Sequence, residues 1–365
     1  MGFTCGIVGL PNVGKSTLFN ALTGTAAADA ANYPFCTIEP NVGRVAVPDD
    51  RLGVCARLAK SAEIVPTQLE FVDIAGLVRG AARGEGLGNQ FLSHIREVDA
   101  IAHVLRCFAD ANVTHIEGSV DPIRDAETVE TELMLADLDS LERRALHLVK
   151  RARTGEKEAK TQLAVVEPVL AALREGKPVR DVTVGVEQQK TLKALQLLSA
   201  KPVLYIANVD EGNAASGNSE SRRVAKYAAA RSARSVMISA GIEAELAQLP
   251  DAEKDEFLAG LGLAETGLAR VIRAGYALLR LVTFFTSGPK EAHAWTVEQG
   301  TKAPQAAGKI HTDFERGFIR AETIAYADFA AYGGEQGARD AGRMRLEGAD
   351  YVVQDGDVMR FRFNI

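Results

Sequence analysis

The chain has 365 residues, carries a formal net charge of −6 at pH 7, and is 47% hydrophobic and 25% charged. At about 150 residues per domain this length predicts two or three domains, and the composition excludes wholesale disorder. Because the overall balance is mildly acidic, a surface for nucleic acid would have to be a local basic patch.

The cysteines and the first residues bear on the compartment. The four cysteines include no C-x-x-C pair, which argues against a zinc ribbon or a disulfide scaffold and favours a reducing compartment. The first residues lack the basic lead and the cleavable apolar run of a signal peptide. No stretch approaches the about 18 apolar residues of a membrane span. We therefore expect a cytoplasmic protein with no membrane partner.

Short apolar runs alternate with helical segments at the start of the chain and again after residue 200. This alternation predicts an α/β domain with a mostly parallel sheet and helices on both faces. The predicted strands are residues 4–8, 69–73, 100–105, 203–208 and 235–239, and the first predicted helix is residues 15–23.

Residues 9–17 read Gly-Leu-Pro-Asn-Val-Gly-Lys-Ser-Thr and match the pattern G-x-x-x-x-G-K-[ST] between a predicted strand and a predicted helix. Glycines let the backbone N–H groups wrap a phosphate chain, Lys15 neutralises the β- and γ-phosphates, and the Ser16 hydroxyl binds Mg²⁺. The predicted nucleotide-binding residues of this loop are Asn12, Val13, Gly14, Lys15, Ser16 and Thr17.

Two later segments supply candidates for the metal and the γ-phosphate. Asp73 ends a predicted strand and would hold the Mg²⁺ shell, and the backbone N–H of Gly76 would sense the γ-phosphate. The glycine-rich stretch that follows indicates a mobile switch. Thr37, in the loop after the first helix, would complete the Mg²⁺ shell with Ser16 and Asp73.

The base-binding motif departs from that of GTP-specific switches, which carry N-K-x-D. This chain has Asn208-Val209-Asp210-Glu211, so Val209 replaces the lysine and Glu211 the aspartate. The usual aspartate accepts hydrogen bonds from the N1–H and N2–H₂ groups of guanine, and adenine has neither donor. We therefore expect ATP to bind at least as well as GTP. Ser239 and Ala240 are predicted to close over the base. A GTP-preferring enzyme that uses Glu211 is the alternative.

Residues 121–200 interrupt this pattern with two apolar stripes at heptad spacing. They predict an antiparallel coiled-coil hairpin that turns at residues 154–155, with a first helix of roughly 45 Å. Pro168 should kink the second helix or end it. The exposed basic positions fit either a solvated face or a binding arm; they are Arg143, Arg144, Lys150, Arg151, Arg153, Lys157 and Lys160.

From about residue 282 short β runs alternate with glycine turns, which predicts a small α+β module. The runs are residues 294–297, 317–320, 351–353 and 359–363. Basic side chains on a small β surface suit an RNA backbone. The acidic residues among them leave a solubilising surface as the alternative.

Six short sequence segments together resemble those of the YchF / Obg-like ATPase family. These segments are residues 9–17, 33–41, 73–78, 208–211, 292–296 and 303–320. The resemblance runs over essentially the whole chain. The resemblance implies a P-loop NTPase domain at residues 1–120 and 201–281, interrupted by the hairpin at 121–200. It also implies a β-grasp TGS domain at 282–365. The implied activity is Mg²⁺-dependent hydrolysis of ATP in preference to GTP, with association to ribosomes.

The resemblance also bears on catalysis. Leu77 stands where Ras-type switches have their water-orienting glutamine, so another group must orient the water or turnover is slow. The family points to His115, whose imidazole can accept a hydrogen bond from water. Catalysis is thus assigned to Lys15, Gly76 and His115. Asn12 stands where some relatives without the glutamine bind K⁺, which makes K⁺ a second candidate ion.

We therefore expect a slow ATPase switch in translation or the stress response, monomeric, that contacts the large ribosomal subunit or its rRNA through the hairpin and the TGS domain. An adaptor in which the nucleotide is a structural ligand is the alternative. A P-loop kinase is disfavoured, since no arginine-bearing lid or acceptor pocket is recognisable.

Overall fold

The computed structural model describes residues 3–30, 42–74, 88–110, 113–115 and 118–364. The chain forms two compact units, of which the first comprises Met1–Val45 and Glu70–Gly275 and the second Ala46–Leu69 and Tyr276–Ile365. Among the described helices, none has the length and apolar content needed to cross a membrane.

The strands of the described residues, in chain order, are β1 (Phe3–Val8), β2 (Val42–Ala46), β3 (Glu63–Val65), β4 (Gln68–Asp73), β5 (Ala100–Arg106), β6 (Val203–Asn208), β7 (Arg234–Ile238), β8 (Leu281–Ser287), β9 (Glu291–Glu298), β10 (Phe318–Ala325), β11 (Arg345–Glu347) and β12 (Asp357–Phe363). The α-helices are α1 (Lys15–Ala30), α2 (Asp50–Ala59), α3 (Gly88–Glu97), α4 (Pro122–Arg153), α5 (Lys157–Arg174), α6 (Val186–Ala194), α7 (Ser219–Ala230), α8 (Ala240–Leu246), α9 (Asp251–Gly260), α10 (Gly267–Leu278), α11 (Ala303–Ile310), α12 (Thr312–Arg316), α13 (Tyr326–Ala331) and α14 (Glu335–Asp340).

The first unit is built on a six-stranded sheet with the order β2-β4-β1-β5-β6-β7. The β1–β5, β5–β6 and β6–β7 pairs are parallel, and every residue of β5 and β6 is buried. Strands buried on both faces need continuous apolar runs, and such runs are what the sequence shows here. The predicted α/β fold is confirmed. In a parallel sheet the carboxyl ends of β1, β5 and β6 share one edge, where phosphate and base loops can meet.

The hairpin between β5 and β6 consists of α4 and α5. Its two apolar stripes form one cluster, which includes Leu141, Leu148, Val166 and Leu170 and is completed by Val179 and other residues of the same insertion. The antiparallel hairpin is confirmed, and α4 is about 48 Å long at 1.5 Å per residue. Of the two outcomes expected at Pro168, a kink or a helix end, the helix end is wrong, because α5 continues to Arg174. Buried residues lie both before and after Pro168 in α5, and their packing outweighs the one backbone hydrogen bond that proline removes.

A buried carboxylate anchors the hairpin. Asp137 of α4 is fully buried and accepts hydrogen bonds from the backbone N–H groups of Leu198 (2.9 Å) and Ser199 (2.8 Å) and from the Ser199 hydroxyl (2.7 Å). These residues form a short 3₁₀ helix, Leu198–Ala200, just before β6. Burial raises the pKa of the Asp137 carboxyl, and the three donors oppose that rise.

The second unit holds a mixed six-stranded sheet with the order β11-β10-β12-β8-β9-β3. Three-residue β3 pairs in parallel with β9, so residues 46–69 belong to this unit although we expected them in the N-terminal domain. No local sequence pattern predicts that residues 63–65 pair with a strand more than 200 residues later in the chain. The strand expected at 351–353 is wrong, because Val352 makes only an isolated bridge with Lys302.

Candidate nucleotide-binding site

The loop between β1 and α1 has a backbone that other residues could not adopt. Gly14 has φ +98°, and a Cβ there would lie 2.3 Å from the Asn208 amide nitrogen. A Cβ on Gly9 would lie 2.5 Å from the carbonyl oxygen of Val104 in β5. The two glycines of the motif therefore let the loop pack directly on the neighbouring strands, as a phosphate-wrapping loop requires.

Lys15 lies at the base of this loop and is buried. Its Nζ donates a hydrogen bond to the carbonyl of Leu10 at 2.7 Å, which bends the side chain back along the loop. Burial lowers the pKa of Lys15 to about 8, and the negative charge of Asp73 opposes that shift. A desolvated ammonium aimed along the loop is suited to bind a polyanion.

Asp73 ends β4 close enough to Lys15 for their charges to interact. Its Oδ1 is buried and has no hydrogen-bond partner among the residues that the structure describes. Burial raises the pKa of this carboxyl, and Lys15 lowers it. An orphaned carboxylate oxygen beside a phosphate loop fits a Mg²⁺ ion, which prefers one or two carboxylates with phosphate and water ligands. Ser16, exposed in the first turn of α1, is the second protein group that could hold it.

Thr37 and Gly76, predicted for the Mg²⁺ shell and the γ-phosphate, lie outside the described residues, as does Leu77. The remaining residues of the phosphate loop, from Asn12 to Thr17, are brought together by the β1–α1 turn.

Asn208 joins the phosphate loop to the base-side loop. Its amide nitrogen donates to the carbonyl of Val13 (2.9 Å), and its amide oxygen accepts from the backbone N–H of Ala240 (2.9 Å). Asn208 and Ala240 are both buried, so the two hydrogen bonds are shielded from water. The asparagine therefore works as a brace between the two loops.

The other predicted base-side residues surround this brace. Val209 is buried and donates its backbone N–H to the carbonyl of Ile238 (2.8 Å). Glu211 is exposed, and its Oε1 lies 3.0 Å from where a Cβ on Gly241 would stand. Ser239 is buried immediately before α8. An uncharged valine therefore occupies the lysine position, and the carboxylate at the aspartate position lies against Gly241 in the first turn of α8.

His115 is buried, unlike an ordinary surface histidine. Its Nε2 is 2.8 Å from Oδ2 of Asp125 in the first turn of α4. The other oxygen of Asp125 accepts from the Arg124 guanidinium at 3.0 and 3.2 Å. The residue before His115 is tied to the phosphate loop, because Asn12 donates its side-chain amide to the carbonyl of Thr114 at 3.1 Å. The described residues thus connect His115 to both the loop and the hairpin.

Arg106 is a functional residue that sequence reasoning missed. It ends β5, is almost fully buried, and donates to the carbonyls of Phe108 (3.1 Å), Asp110 (3.2 Å) and Val113 (2.9 Å). It therefore folds the segment that carries His115. The available signal was an arginine at the end of a largely apolar strand, since a buried arginine needs hydrogen-bond acceptors inside the protein.

A buried row of polar side chains, formed by His103, Tyr205, Glu130 and Arg180, was also missed in the sequence analysis. His103 of β5 has an Nε2 without a hydrogen-bond partner in the described part of the chain, and its ring centroid lies 5.8 Å from that of Tyr205. The Tyr205 hydroxyl donates to Glu130 of α4 (3.0 Å), which pairs with Arg180. Burial, helped by the charges of Lys15 and Arg180, lowers the pKa of His103 to about 3. This row of polar side chains extends from β5 and β6 to the N-terminal part of α4.

The parallel sheet, the glycine-constrained loop and the buried Lys15 define a P-loop nucleoside triphosphatase. Residues 4–137 match the family model described as "50S ribosome-binding GTPase", and residues 281–364 match the YchF GTPase C-terminal model, described as a protein of unknown function.

The whole chain is 58% identical to a protein of Haemophilus influenzae and 54% identical to one of Bacillus subtilis, both named "Ribosome-binding ATPase YchF", with each chain covered completely. The solved structure of the Schizosaccharomyces pombe YchF GTPase is 38% identical, covers 99% of this chain and 98% of its own, and has a TM-score of 0.89. The chain belongs to the YchF family.

Proposed function

We propose that this protein binds ATP with Mg²⁺, hydrolyses it slowly, and uses the nucleotide state as a switch on the ribosome in translation or the stress response. The observation that carries the nucleotide part is the pair formed by Lys15 and the orphaned Asp73 oxygen beside the phosphate loop. The relatives' shared name, ribosome-binding ATPase, supports the rest. Ser16 and Asp73 would hold a bound Mg²⁺, with Thr37 as the third proposed group, and the ion would supply positive charge to offset the charge that develops on the phosphates.

The preference for ATP is argued from the base-side loop. Both ends of the Asn208 amide are already used inside the protein. Val209 brings no charge to the base. A site that lacks the aspartate that accepts the two guanine hydrogen bonds does not disfavour adenine, so ATP is expected to bind at least as well as GTP.

Turnover is assigned to His115 as the group that orients the attacking water. A carboxylate bonded to one imidazole nitrogen selects the tautomer and fixes the ring plane, which is the role we propose for Asp125. For K⁺, the candidate is Asn12, whose amide nitrogen is engaged by Thr114 and whose amide oxygen is the atom type that K⁺ takes. Equal hydrolysis rates in K⁺ and Na⁺ buffers would remove the K⁺ part.

Two exposed basic surfaces are proposed to contact ribosomal RNA of the large subunit, with the protein acting as a monomer. The first surrounds the hairpin turn and comprises Lys150, Arg153, Lys157 and Lys160. The second is the outer face of the C-terminal sheet, proposed as a TGS-type module, where Arg320 stands opposite Arg362, with Arg360 two residues before Arg362. The neighbouring residues Ala321, Met359 and Phe361 are buried, so the alternation places the arginines on the outer face, where Arg320 and Arg360 are exposed and Arg362 is half-buried and paired with Glu322.

Calorimetric titration of nucleotide-free protein with ATP and GTP at fixed Mg²⁺ tests the proposal. Comparable or tighter binding of ATP is expected. Tighter binding of GTP by more than tenfold (about 1.4 kcal/mol) would show that Glu211 performs the aspartate's task and that the protein is a GTPase.

The adaptor alternative is favoured by one observation, namely that His115 is buried and occupied by Asp125. Lys15→Ala separates the two functions. If this variant no longer binds nucleotide but pellets with ribosomes as the unchanged protein does, in the presence and absence of ATP, the switch is wrong and the adaptor stands. Loss of the ATP-dependent difference supports the switch.

A further inference from the structure

A shallow surface cavity of about 370 Å³, largely open to solvent, lies beside β7, the edge strand of the first unit's sheet. Its walls come from the start of β7 and from α10; they are Arg234, Ser235, Val236, Arg270, Arg273 and Ala274. Ser239 and Ala240 follow the other end of β7, so the cavity and the base-side loop lie at opposite ends of the same strand.

Three of the six lining residues are arginines, and their charges are incompletely balanced. Arg273 pairs with Glu265 at the surface. In the part of the chain that the structure describes, neither Arg234 nor Arg270 forms an ion pair, and Nε of Arg270 is buried without a hydrogen-bond partner. Arg270 is half-buried, and without an ion pair among the described residues its positive charge has no protein counter-charge bonded to it, which favours an anionic ligand.

The nearest acid does not fill this role. Glu243 of α8 is close enough to Arg270 for their charges to interact, but its two carboxylate oxygens accept the backbone N–H groups of Gly267 (2.7 Å) and Leu268 (3.2 Å). Glu243 therefore caps the first turn of α10. That contact positions α10 against β7, and it leaves the charge of Arg270 without a carboxylate bonded directly to it in the described part of the chain.

We propose that this cavity binds a phosphate group, supplied either by an RNA backbone or by a small phosphate compound. Guanidinium groups match phosphate oxygens with two parallel hydrogen bonds, and the half-buried Ser235 adds a hydroxyl donor. The inference does not rest on the proposed nucleotide site, since no residue of the phosphate or base-side loops lines the cavity.

The test uses the full chain saturated with ADP and Mg²⁺, so that the phosphate loop is occupied. Inorganic phosphate is titrated and followed by ³¹P line broadening, and a fluorescent 12-nucleotide single-stranded RNA is titrated and followed by anisotropy. The variants are Arg270→Gln and the exposed Arg234→Gln, and the matched control is Arg222→Gln, an exposed arginine of α7 outside the cavity. Far-UV circular dichroism checks folding, and Arg234→Gln keeps the test valid if Arg270→Gln unfolds.

Both cavity variants should weaken at least one probe by tenfold or more, while Arg222→Gln changes neither. Weaker RNA binding, with a salt slope reduced by about 0.7 for each lost phosphate contact, identifies a backbone phosphate. Weaker binding of inorganic phosphate alone identifies a small compound. Binding of both probes that is equal in all four proteins overturns the inference. ATP hydrolysis should be unchanged in these variants, so a failure of the nucleotide proposal would be visible separately.

Discussion

The phosphate loop and the His115 segment are built in opposite ways, although the Asn12 side chain connects them. The loop is nine consecutive residues whose glycines, lysine and serine carry the function. The His115 segment is held by Asn12, Arg106 and Asp125, which come from three different elements. The proposed phosphate site is therefore assembled mainly from consecutive residues, whereas the proposed role of His115 in turnover depends on contacts that only the folded chain creates.

Lys15→Ala gives the largest expected effect. It removes the buried ammonium of the phosphate loop, and the affinity for ATP and for GTP should fall at least a thousandfold, or about 4 kcal/mol. Calorimetry measures both affinities. The exposed Lys226→Ala of α7 is the control, and it should bind both nucleotides as the unchanged protein does. If Lys15→Ala keeps its affinity, the loop does not bind phosphate through this lysine.

His115→Ala should affect the other region alone. Loss of the water-orienting imidazole is expected to lower kcat about a hundredfold, the lower end of the effect of general acid–base groups. The ATP affinity should stay within about twofold, since His115 is not part of the phosphate loop. Single-turnover hydrolysis and calorimetry together measure the two quantities.

Two further variants sharpen this prediction. Asp125→Asn keeps the shape of the partner but removes its charge, so a smaller loss of kcat is expected. The exposed His147→Ala of α4 should be silent. Unchanged hydrolysis in His115→Ala would disprove the catalytic assignment and favour the adaptor.

Asn208→Ala tests whether this residue is a brace or a reader of the base. The change leaves the buried Val13 carbonyl and Ala240 N–H without partners, so the free energy of unfolding should fall by about 2 kcal/mol. ATP and GTP should lose affinity by the same factor. Urea unfolding and calorimetry measure these effects, and a loss confined to one nucleotide would contradict the brace.

His103 gives the smallest effect, a dependence of stability on pH. Its pKa is about 3 in the folded protein against about 6.5 when unfolded, so the unfolded chain binds more protons as the pH falls below 6.5. Stability should therefore decline by roughly 1 kcal/mol between pH 7 and 5.5 from this group. His103→Leu should remove that part of the slope in urea unfolding. The same slope in both proteins would show that His103 does not titrate in this way.

The sequence carried most of the fold and only half of the site. The parallel strands, both hairpin stripes and the phosphate loop follow from runs and spacings of a few residues. The roles of Asp125 and Arg106 and the Tyr205–Glu130 contact could not be predicted, because each depends on partners that only the fold brings together. The same reason accounts for β3 and for the helix that continues past Pro168, where tertiary packing outweighs a local signal.

The position of the hairpin also explains how such a chain could have been assembled. It leaves the sheet after β5 and returns at β6, two strands that pair in parallel along six residue positions. A crossover between adjacent strands can be replaced by a longer one without shifting their register. Since the apolar cluster between α4 and α5 is drawn from the insertion's own residues, the outer part of the hairpin can change in length or in its turn without altering the packing of the sheet.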